Sequence, residues 1–283
     1  MSRLTPYLQA APLALVLLAF LVVPVAMIVI VSFWSYDSFS LIPDFTLDNY
    51  AWLVSSSVTH NLYLKTLTYA AITWAITLAV GFTISYYLVF HVRSLIWQIG
   101  LFLLCTVPFW TSNVIRMISW IPFLGRNGLF NQSLMGLGVT DAPLDFLLFS
   151  DFAVILAYVH LFTLFMIVPI FNSMARIDPA LIEAAVDGGA KPWQVIWEVV
   201  LPLSKTGIAL GSIFVIALVM GDFFVVRIMS GGQSGSVVSA MMNEIGLLQY
   251  PSAAAGAVIL LVITTLMVAA IFRIVDVRKE LAA

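Results

Sequence analysis

The residues of this chain most able to do chemistry are the charged side chains inside its apolar runs. Arg116 and Asp222 both stand in such runs, and a charge within a membrane is costly enough to indicate either a function or an ion pair. At about 1.5 Å of rise per helical residue, the two positions fall at similar depth. Two interpretations stay open: a structural salt bridge between Arg116 and Asp222, or an Asp222 carboxylate that lines a pathway and receives a cationic group.

Aromatic residues accompany both charges. Trp110 and Trp120 flank the arginine, and Phe223 and Phe224 follow the aspartate directly. Aromatic faces attract an amine or ammonium group by cation–π interaction, so these rings could form a cage. Tryptophan in membrane proteins is more often an interfacial anchor, which is the competing interpretation. The candidate pathway residues are Trp110, Arg116, Trp120, Asp222 and Phe223.

Patterns typical of enzymes and of metal sites are missing from the sequence. No G-x-x-x-x-G-K-[ST] loop is present to hold nucleotide phosphates, and no Gly-x-Ser-x-Gly motif is present either. His60, His91 and His160 lie in different segments without metal-ligand spacing. The sequence therefore predicts no catalytic residue, no metal and no cofactor, and it argues against an intramembrane enzyme.

Composition places the chain in a membrane. Of its 283 residues 62% are hydrophobic and only 9% are charged, whereas soluble domains have about 25% charged residues. The net charge is −2, and the sequence shows no cluster of basic residues that could bind a nucleic-acid backbone. We therefore expect an all-α membrane protein surrounded by lipid, with no nucleic-acid partner.

Six apolar runs are long enough to cross a bilayer core of about 30 Å. They form one predicted domain over residues 1–283, with a first outer loop in which the segment FTLDNYAWL could form a short helix. A second short helix is predicted near residues 129–135 of another outer loop. The predicted spans are residues 12–34, 64–90, 95–118, 152–173, 204–226 and 253–274.

The distribution of lysine and arginine predicts the orientation, because cytoplasmic loops carry an excess of these residues. Four of the 12 cations fall on one side, at Lys65, Arg116, Arg126 and Arg227. The other eight define the cytoplasmic side: Arg3, Arg93, Arg176, Lys191, Lys205, Arg273, Arg278 and Lys279. Both termini and the loop of residues 176–203 are therefore predicted to be cytoplasmic.

That cytoplasmic loop carries clear helix signals. Asp178 is a suitable N-cap, Pro179 suits a first helical position, and the glycines at 188 and 189 suit a helix end. A second amphipathic helix should start at Pro192, which would place two short helices between the fourth and fifth spans.

The same loop carries a spaced motif. It reads Glu183-Ala184-Ala185, three residues, Gly189, nine residues, a valine, one residue and Leu201-Pro202. This string resembles the EAA signature of permease subunits in ATP-binding-cassette importers. The resemblance implies a type I permease fold with six spans, in which the first loop helix is a coupling helix that docks into a cytoplasmic ATPase.

Further strings resemble the spermidine/putrescine-type permeases. These are PFWTSNVIRMISWIPFLGRNGLFNQSLMGLG and GDFFVVRIMSGG, the second with Arg227 where relatives commonly have proline. The resemblance implies an inner-membrane permease for polyamines. It implies as partners a second permease, an ATPase dimer and a periplasmic binding protein. Alternatives are another small solute (an opine, an amino-acid derivative or iron), a secondary transporter or a channel.

Overall fold

The computed structural model describes residues 5–37 and 40–275 and is mainly helical. A small antiparallel hairpin pairs β1 (Ser35–Asp37) with β2 (Ser40–Ile42). The predicted all-α membrane class is confirmed, with this hairpin as a minor addition. In chain order the helices are α1 (Thr5–Leu17), α2 (Val23–Val31), α3 (Asp48–Ser55), α4 (Ser57–Phe90), α5 (Leu95–Thr106), α6 (Asn113–Leu124), α7 (Leu129–Gly136), α8 (Asp151–Met174), α9 (Pro179–Asp187), α10 (Pro192–Gln194), α11 (Leu201–Met220), α12 (Phe224–Met229), α13 (Val237–Gly246) and α14 (Tyr250–Ile274).

Among the described residues, 5 helices are long and apolar enough to cross a membrane. The number of candidate spans is 6 if a bent pair of helices, Leu95–Trp110 with Asn113–Gly136, is counted as one span. The five single helices are Ala11–Val31, Ser57–Phe90, Asp151–Met174, Pro192–Met220 and Tyr250–Arg273. The second of these begins at Ser57, earlier than the predicted residue 64, because α4 also contains the polar segment that follows α3.

The third predicted span is not one helix. The prediction is one unbroken helix over residues 95–118, whereas a 90° bend separates its two parts. A short 3₁₀ turn, Val107–Trp110, leads to Thr111 and Ser112, whose backbones are extended. Pro108 has no N–H to donate to an α-helix, and Ser112 can compete for backbone hydrogen bonds, so the break has a local cause.

The predicted second loop helix is the beginning of the fifth span. It starts at Pro192 as expected, but α10 continues through a π-helical segment, Val195–Val200, directly into α11. Pro202 follows this segment and cannot donate an α-helical hydrogen bond, which a wider π turn accommodates. A second π-helical segment, Leu18–Val22, precedes Pro24 in the same way.

The fifth span also ends earlier than predicted. Its helix stops at Met220 and not at residue 226, and Gly221 and Asp222 form a turn before α12. The Asp222 side chain binds a backbone N–H beyond the turn, which favours a helix start there over continuation of α11.

Close contacts divide the chain into two compact units, residues 1–63 with 237–263 and residues 64–236 with 264–283. In the first unit, both Asp44 carboxylate oxygens accept hydrogen bonds from Ser35, at 2.7 and 2.9 Å, and so fasten the hairpin. Val237, Met241 and Ala253 form a small buried cluster there. The single-domain organisation stays a prediction.

The second unit is built on the packing of α8 against α11. Gly207 and Gly211 face α8 so closely that a Cβ atom on Gly207 would lie 2.4 Å from the Pro169 carbonyl oxygen. A Cβ atom on Gly211 would lie 2.7 Å from the sulfur of Met166. Small residues of this kind let two helix backbones approach, as is typical of helix pairs in membranes.

The orientation prediction depends in part on residues outside the described ranges. Arg3, Arg278 and Lys279 lie there. The predicted short helices of the outer loops are present as α3 and α7.

Candidate functional site

The loop that carries the spaced motif begins with a fully capped helix. Asp178 accepts a hydrogen bond from the Ala180 N–H at 2.9 Å, and Pro179 occupies the first helical position of α9. Both features match the sequence prediction. The cap satisfies a backbone donor that would otherwise have no intrahelical partner, so α9 can start without help from a neighbouring element.

The end of α9 explains the glycine of the motif. Gly189 has a φ of +85°, its N–H donates to the Val186 carbonyl at 2.9 Å, and the Ala190 N–H donates to the Ala185 carbonyl at 3.0 Å. These two bonds form a Schellman motif, which needs a left-handed residue at this position. Glycine adopts that conformation without steric strain.

The surface of α9 is open. Glu183 and Ala184 are exposed and Ala185 is half-buried. Apolar side chains around them are exposed as well, with Val186 at 56% and Trp197 at 64%. Further along the motif, Leu201 is half-buried and Pro202 is exposed where the π segment meets α11. A short, doubly capped helix with exposed apolar groups has the properties of a docking element.

Arg116 lies on α6, after the bend. Its guanidinium donates to Asn113 Oδ1, and its buried Nε has no hydrogen-bond partner. It borders a cavity of about 430 Å³ together with Trp120, His160 and other side chains. Trp120 Nε1 donates to His160 Nδ1 at 3.1 Å, which fixes the two rings in an edge contact.

Asp222 is half-buried in the turn between α11 and α12. Its Oδ1 accepts hydrogen bonds from the Val225 N–H at 2.8 Å and from the Tyr158 hydroxyl at 3.3 Å. Ser236 Oγ donates to its backbone carbonyl at 3.3 Å. Burial raises the pKa of the carboxyl above its ordinary value, and these hydrogen bonds offset part of the effect.

The structure does not join Arg116 to Asp222. Ion pairs within the described ranges include Lys65–Asp151 and Arg126–Asp145, and neither involves Arg116 or Asp222. The salt-bridge interpretation is therefore not supported.

The aromatic cage is not assembled either. Trp110 is 75% exposed, and neither it nor Phe223 borders the cavity beside Arg116. Phe223 and Phe224, the other two rings of the predicted cage, contact each other, with ring centroids 6.4 Å apart. Of the five candidate pathway residues, the structure brings together Arg116 and Trp120.

A polar cluster that the sequence analysis missed lies nearby in the same unit. Lys65 Nζ is 3.0 Å from Asp151 Oδ1, and the Tyr69 hydroxyl donates to that oxygen at 2.6 Å. The ring of Tyr69 also meets the ring of Tyr158, the partner of Asp222, at a centroid distance of 6.3 Å. Asp151 is 82 positions from Tyr69 in the sequence. Lys65 and Asp151 also stand near the ends of apolar runs, where a charged residue looks like an ordinary interfacial one. In the described ranges, no group of three or more histidine, cysteine or acidic residues could hold a metal ion.

Comparison with known proteins identifies relatives along most of the chain. It is 33% identical over 255 residues to the spermidine/putrescine transport system permease protein PotB of Salmonella typhimurium, covering 89% of this chain and 87% of that protein. PotB of Escherichia coli K12 is 33% identical over 264 residues, with 91% and 93% covered. The inner membrane ABC transporter permease protein YdcU of the same organism is 28% identical, with 86% and 80% covered. No family model matches the chain.

Solved structures share the fold. A chain of a bacterial alginate ABC transporter, crystallised in complex with an alginate pentasaccharide-bound periplasmic protein, superposes with a TM-score of 0.74 at 17% identity. The match covers 95% of this chain and 93% of that one. A second alginate importer structure gives a TM-score of 0.72 at 19% identity, covering 95% and 94%.

Proposed function

The chain belongs to the permease subunits of ATP-binding-cassette importers, and from that premise we propose that its cargo is a polyamine. It is a multi-pass membrane transport subunit that contributes one part of a translocation pathway. The observation that carries the choice of cargo is the 33% identity to spermidine/putrescine permeases, which extends over 89% of the chain. A spermidine-like substrate is a flexible cation, and pathways for such ions need carboxylates and aromatic faces.

The proposed assembly contains four kinds of component. This chain pairs with a second permease, an ATPase dimer binds on the cytoplasmic side and hydrolyses ATP, and a periplasmic protein delivers the substrate. Support comes from the fold shared with an importer that was crystallised with its periplasmic protein. In this proposal the chain lies in the bacterial inner membrane. Its two termini and the loop with α9 face the cytoplasm, as the distribution of lysine and arginine predicts.

We propose α9 as the coupling helix. Glu183 and Ala184 are exposed. Ala185 and Gly189 have small side chains or none, so the backbone of a partner could approach the helix closely. The caps at both ends make α9 a rigid body that could transmit a push. Leu201 and Pro202 lie where the loop enters α11, so a displacement of α9 would reach the fifth span through them.

Transport then follows alternating access. Closure of the ATPase dimer displaces α9, the membrane helices rock, and the outer cavity opens to the periplasmic protein. Asp222 is the proposed acceptor of a substrate ammonium, because its carboxylate is held by Tyr158 and by the start of α12. Trp110, Arg116, Trp120 and Phe223 remain proposed pathway residues.

A second candidate cargo is an amino-acid derivative or an opine. The observation that favours it is the Arg116 guanidinium, which borders a cavity of about 430 Å³ and has no carboxylate partner among the described residues. An unneutralised guanidinium is a natural ligand for a carboxylate. A polyamine would be repelled by the same group.

The deciding experiment is uptake by the reconstituted complex with its periplasmic protein. We expect ATP-dependent uptake of spermidine or putrescine, and no competition by opines or amino acids. Uptake of a carboxylate-bearing solute alone would reject the polyamine assignment. Copurification of an ATPase with the chain separates an importer subunit from a secondary transporter or channel.

Coupling is tested with Glu183→Ala. We expect the variant to assemble and hydrolyse ATP while uptake falls strongly. The exposed Glu198 provides a matched control as Glu198→Ala. Wild-type uptake by the Glu183 variant would exclude α9 as the coupling element.

A further inference from the structure

An ion pair joins two apolar helices. Lys65 lies on α4, and Asp151 is the first residue of α8. The Lys65 ammonium is 3.0 Å from Asp151 Oδ1. Neither side chain is sealed in the protein, since 34% of Lys65 and 51% of Asp151 are exposed. A solute could therefore reach the carboxylate, and half-exposed pairs of this kind hold together weakly.

The carboxylate is positioned independently of the lysine. Tyr69, which is only 2% exposed, donates its hydroxyl hydrogen to Asp151 Oδ1 at 2.6 Å. The same phenol oxygen lies 2.6 Å from Ser234 Oγ. Ser234 is held in turn, because its carbonyl accepts from Ser230 Oγ at 3.1 Å. Removal of the lysine should leave an oriented carboxylate that is open to another cation.

The Lys65 side chain indicates which cation could replace it on Asp151. A lysine side chain ends in a primary alkylammonium group, with three N–H donors on a flexible apolar stem. The end of a linear polyamine is the same group on a similar stem. A carboxylate that accepts one of them offers the same hydrogen-bond geometry to the other.

We propose that Asp151, held by Tyr69, is an alkylammonium-binding site which Lys65 occupies until a substrate ammonium displaces it. Lys65 is then an internal competitor that keeps the carboxylate paired between transport cycles. The exchange replaces one ammonium by another, so the acid is never left without a cation. This inference rests on the proposed polyamine function for its biological substrate, but the site itself is defined by the described contacts.

The experiment measures alkylammonium binding by the purified complex in lipid nanodiscs. The probe is propylammonium chloride, titrated calorimetrically, with tetramethylammonium chloride at equal concentration as an ion without N–H donors. Lys65→Met removes the competitor and should lower the apparent dissociation constant for propylammonium by about tenfold, as expected when a site that was mostly occupied becomes free. Lys205→Met removes the same charge from an exposed position on α11 and should leave the constant unchanged.

Two further variants locate the effect. Asp151→Asn in the Lys65→Met background should abolish the gain. Lys65→Arg, which keeps a cation beside Asp151, should bind propylammonium as weakly as the wild type. An unchanged constant in Lys65→Met, or a gain that survives loss of the acid, would overturn the proposal.

Failure to fold is also informative, so Lys65→Ala is prepared beside Lys65→Met. If neither variant assembles, the fold requires the ion pair between Lys65 and Asp151. A solute could not then displace Lys65, and the proposal would be contradicted. Because the probe is not the transported substrate, the outcome is separate from uptake. Tight propylammonium binding by Lys65→Met, together with no spermidine uptake by the wild-type complex, would reject the polyamine function and keep the site.

Discussion

The hydroxyl of Tyr158 donates a hydrogen bond to Oδ1 of Asp222 at 3.3 Å, between residues 64 positions apart in the sequence. The same oxygen accepts the Val225 N–H at 2.8 Å. Asp222 therefore fixes the start of α12 and depends on a buried phenol of α8 for its orientation. Its partner is a tyrosine and not Arg116.

The first prediction concerns this pair. Tyr158→Phe should raise the half-saturating substrate concentration roughly fivefold, since a lost hydrogen bond costs about 1 kcal/mol. Asp222→Asn should raise it by more, because it removes the charge. The two changes should be strongly non-additive in a double-mutant cycle of initial uptake rates, as expected for residues in contact.

Arg116 supplies the control for that cycle. Arg116→Gln combined with Asp222→Asn should give additive effects, because the arginine hydrogen-bonds to Asn113 and not to Asp222. Recovery of uptake in this double variant would instead support a functional ion pair between Arg116 and Asp222.

A second prediction concerns the contact of α8 with α11. In Gly207→Ala the new methyl group would meet the Pro169 carbonyl oxygen at 2.4 Å and Ser173 Cβ at 2.6 Å. Both helices must move apart, and overpacking of this kind costs about 1 to 3 kcal/mol. Thermal unfolding in detergent should show a lower midpoint. Gly100→Ala is the matched control, since no atom lies within 4 Å of its added Cβ, and a drop of equal size there would contradict the packing argument.

A third prediction separates the shape of α9 from its charge. Gly189→Ala finds open space for its methyl group, but the φ of +85° is strained for any L side chain, at a cost of about 1 to 2 kcal/mol. We expect the Schellman end to fray and uptake to fall while ATP hydrolysis continues. Gly136→Ala is the control, with equally open space and no positive φ. Equal uptake by the two variants would show that the helix end is not needed for coupling.

Local signals were sufficient for the parts of the fold that local chemistry decides. Asp178, Pro179 and Gly189 each favour one backbone conformation, and α9 has the predicted bounds. Apolar run length likewise located the five spans that are single helices, although not all of their bounds. The bend at Ser112 was missed because apolar residues continue on both sides of it, so run length alone does not reveal the break.

Contacts across the sequence could not be predicted in this way. Tyr69 reaches Asp151 over 82 positions, and nothing in the local pattern around either residue identifies the other. The predicted pairing of Arg116 with Asp222 assumed that both lie at the same membrane depth on straight helices. The bend after Trp110 invalidates that estimate of depth. Only the packing of α4, α8 and the turn before α12 brings the tyrosines to the carboxylates.

The last prediction concerns Glu244, a half-buried residue of α13 in the first unit. Its Oε1 accepts a hydrogen bond from Ser252 Oγ at 3.2 Å, and it borders a small cavity of about 20 Å³ beside Tyr63 and Gly256. Burial raises the pKa of the Glu244 carboxyl above its ordinary value. The protonated form is thus favoured more in the folded state than in the unfolded state.

The sign of the pH effect follows from that shift. The contribution of Glu244 to stability is fully present below the unfolded pKa of about 4.3 and is lost as the pH rises through the higher folded pKa. Glu244→Gln cannot ionise, so we expect it to unfold at a higher temperature than the wild type at pH 7.5. The difference should disappear near pH 4, where both side chains are neutral. Intrinsic fluorescence during thermal unfolding in detergent measures it, with Glu198→Gln as the exposed control. A destabilised Glu244→Gln at pH 7.5 would show instead that the ionised carboxylate is bound to a cation in the folded protein.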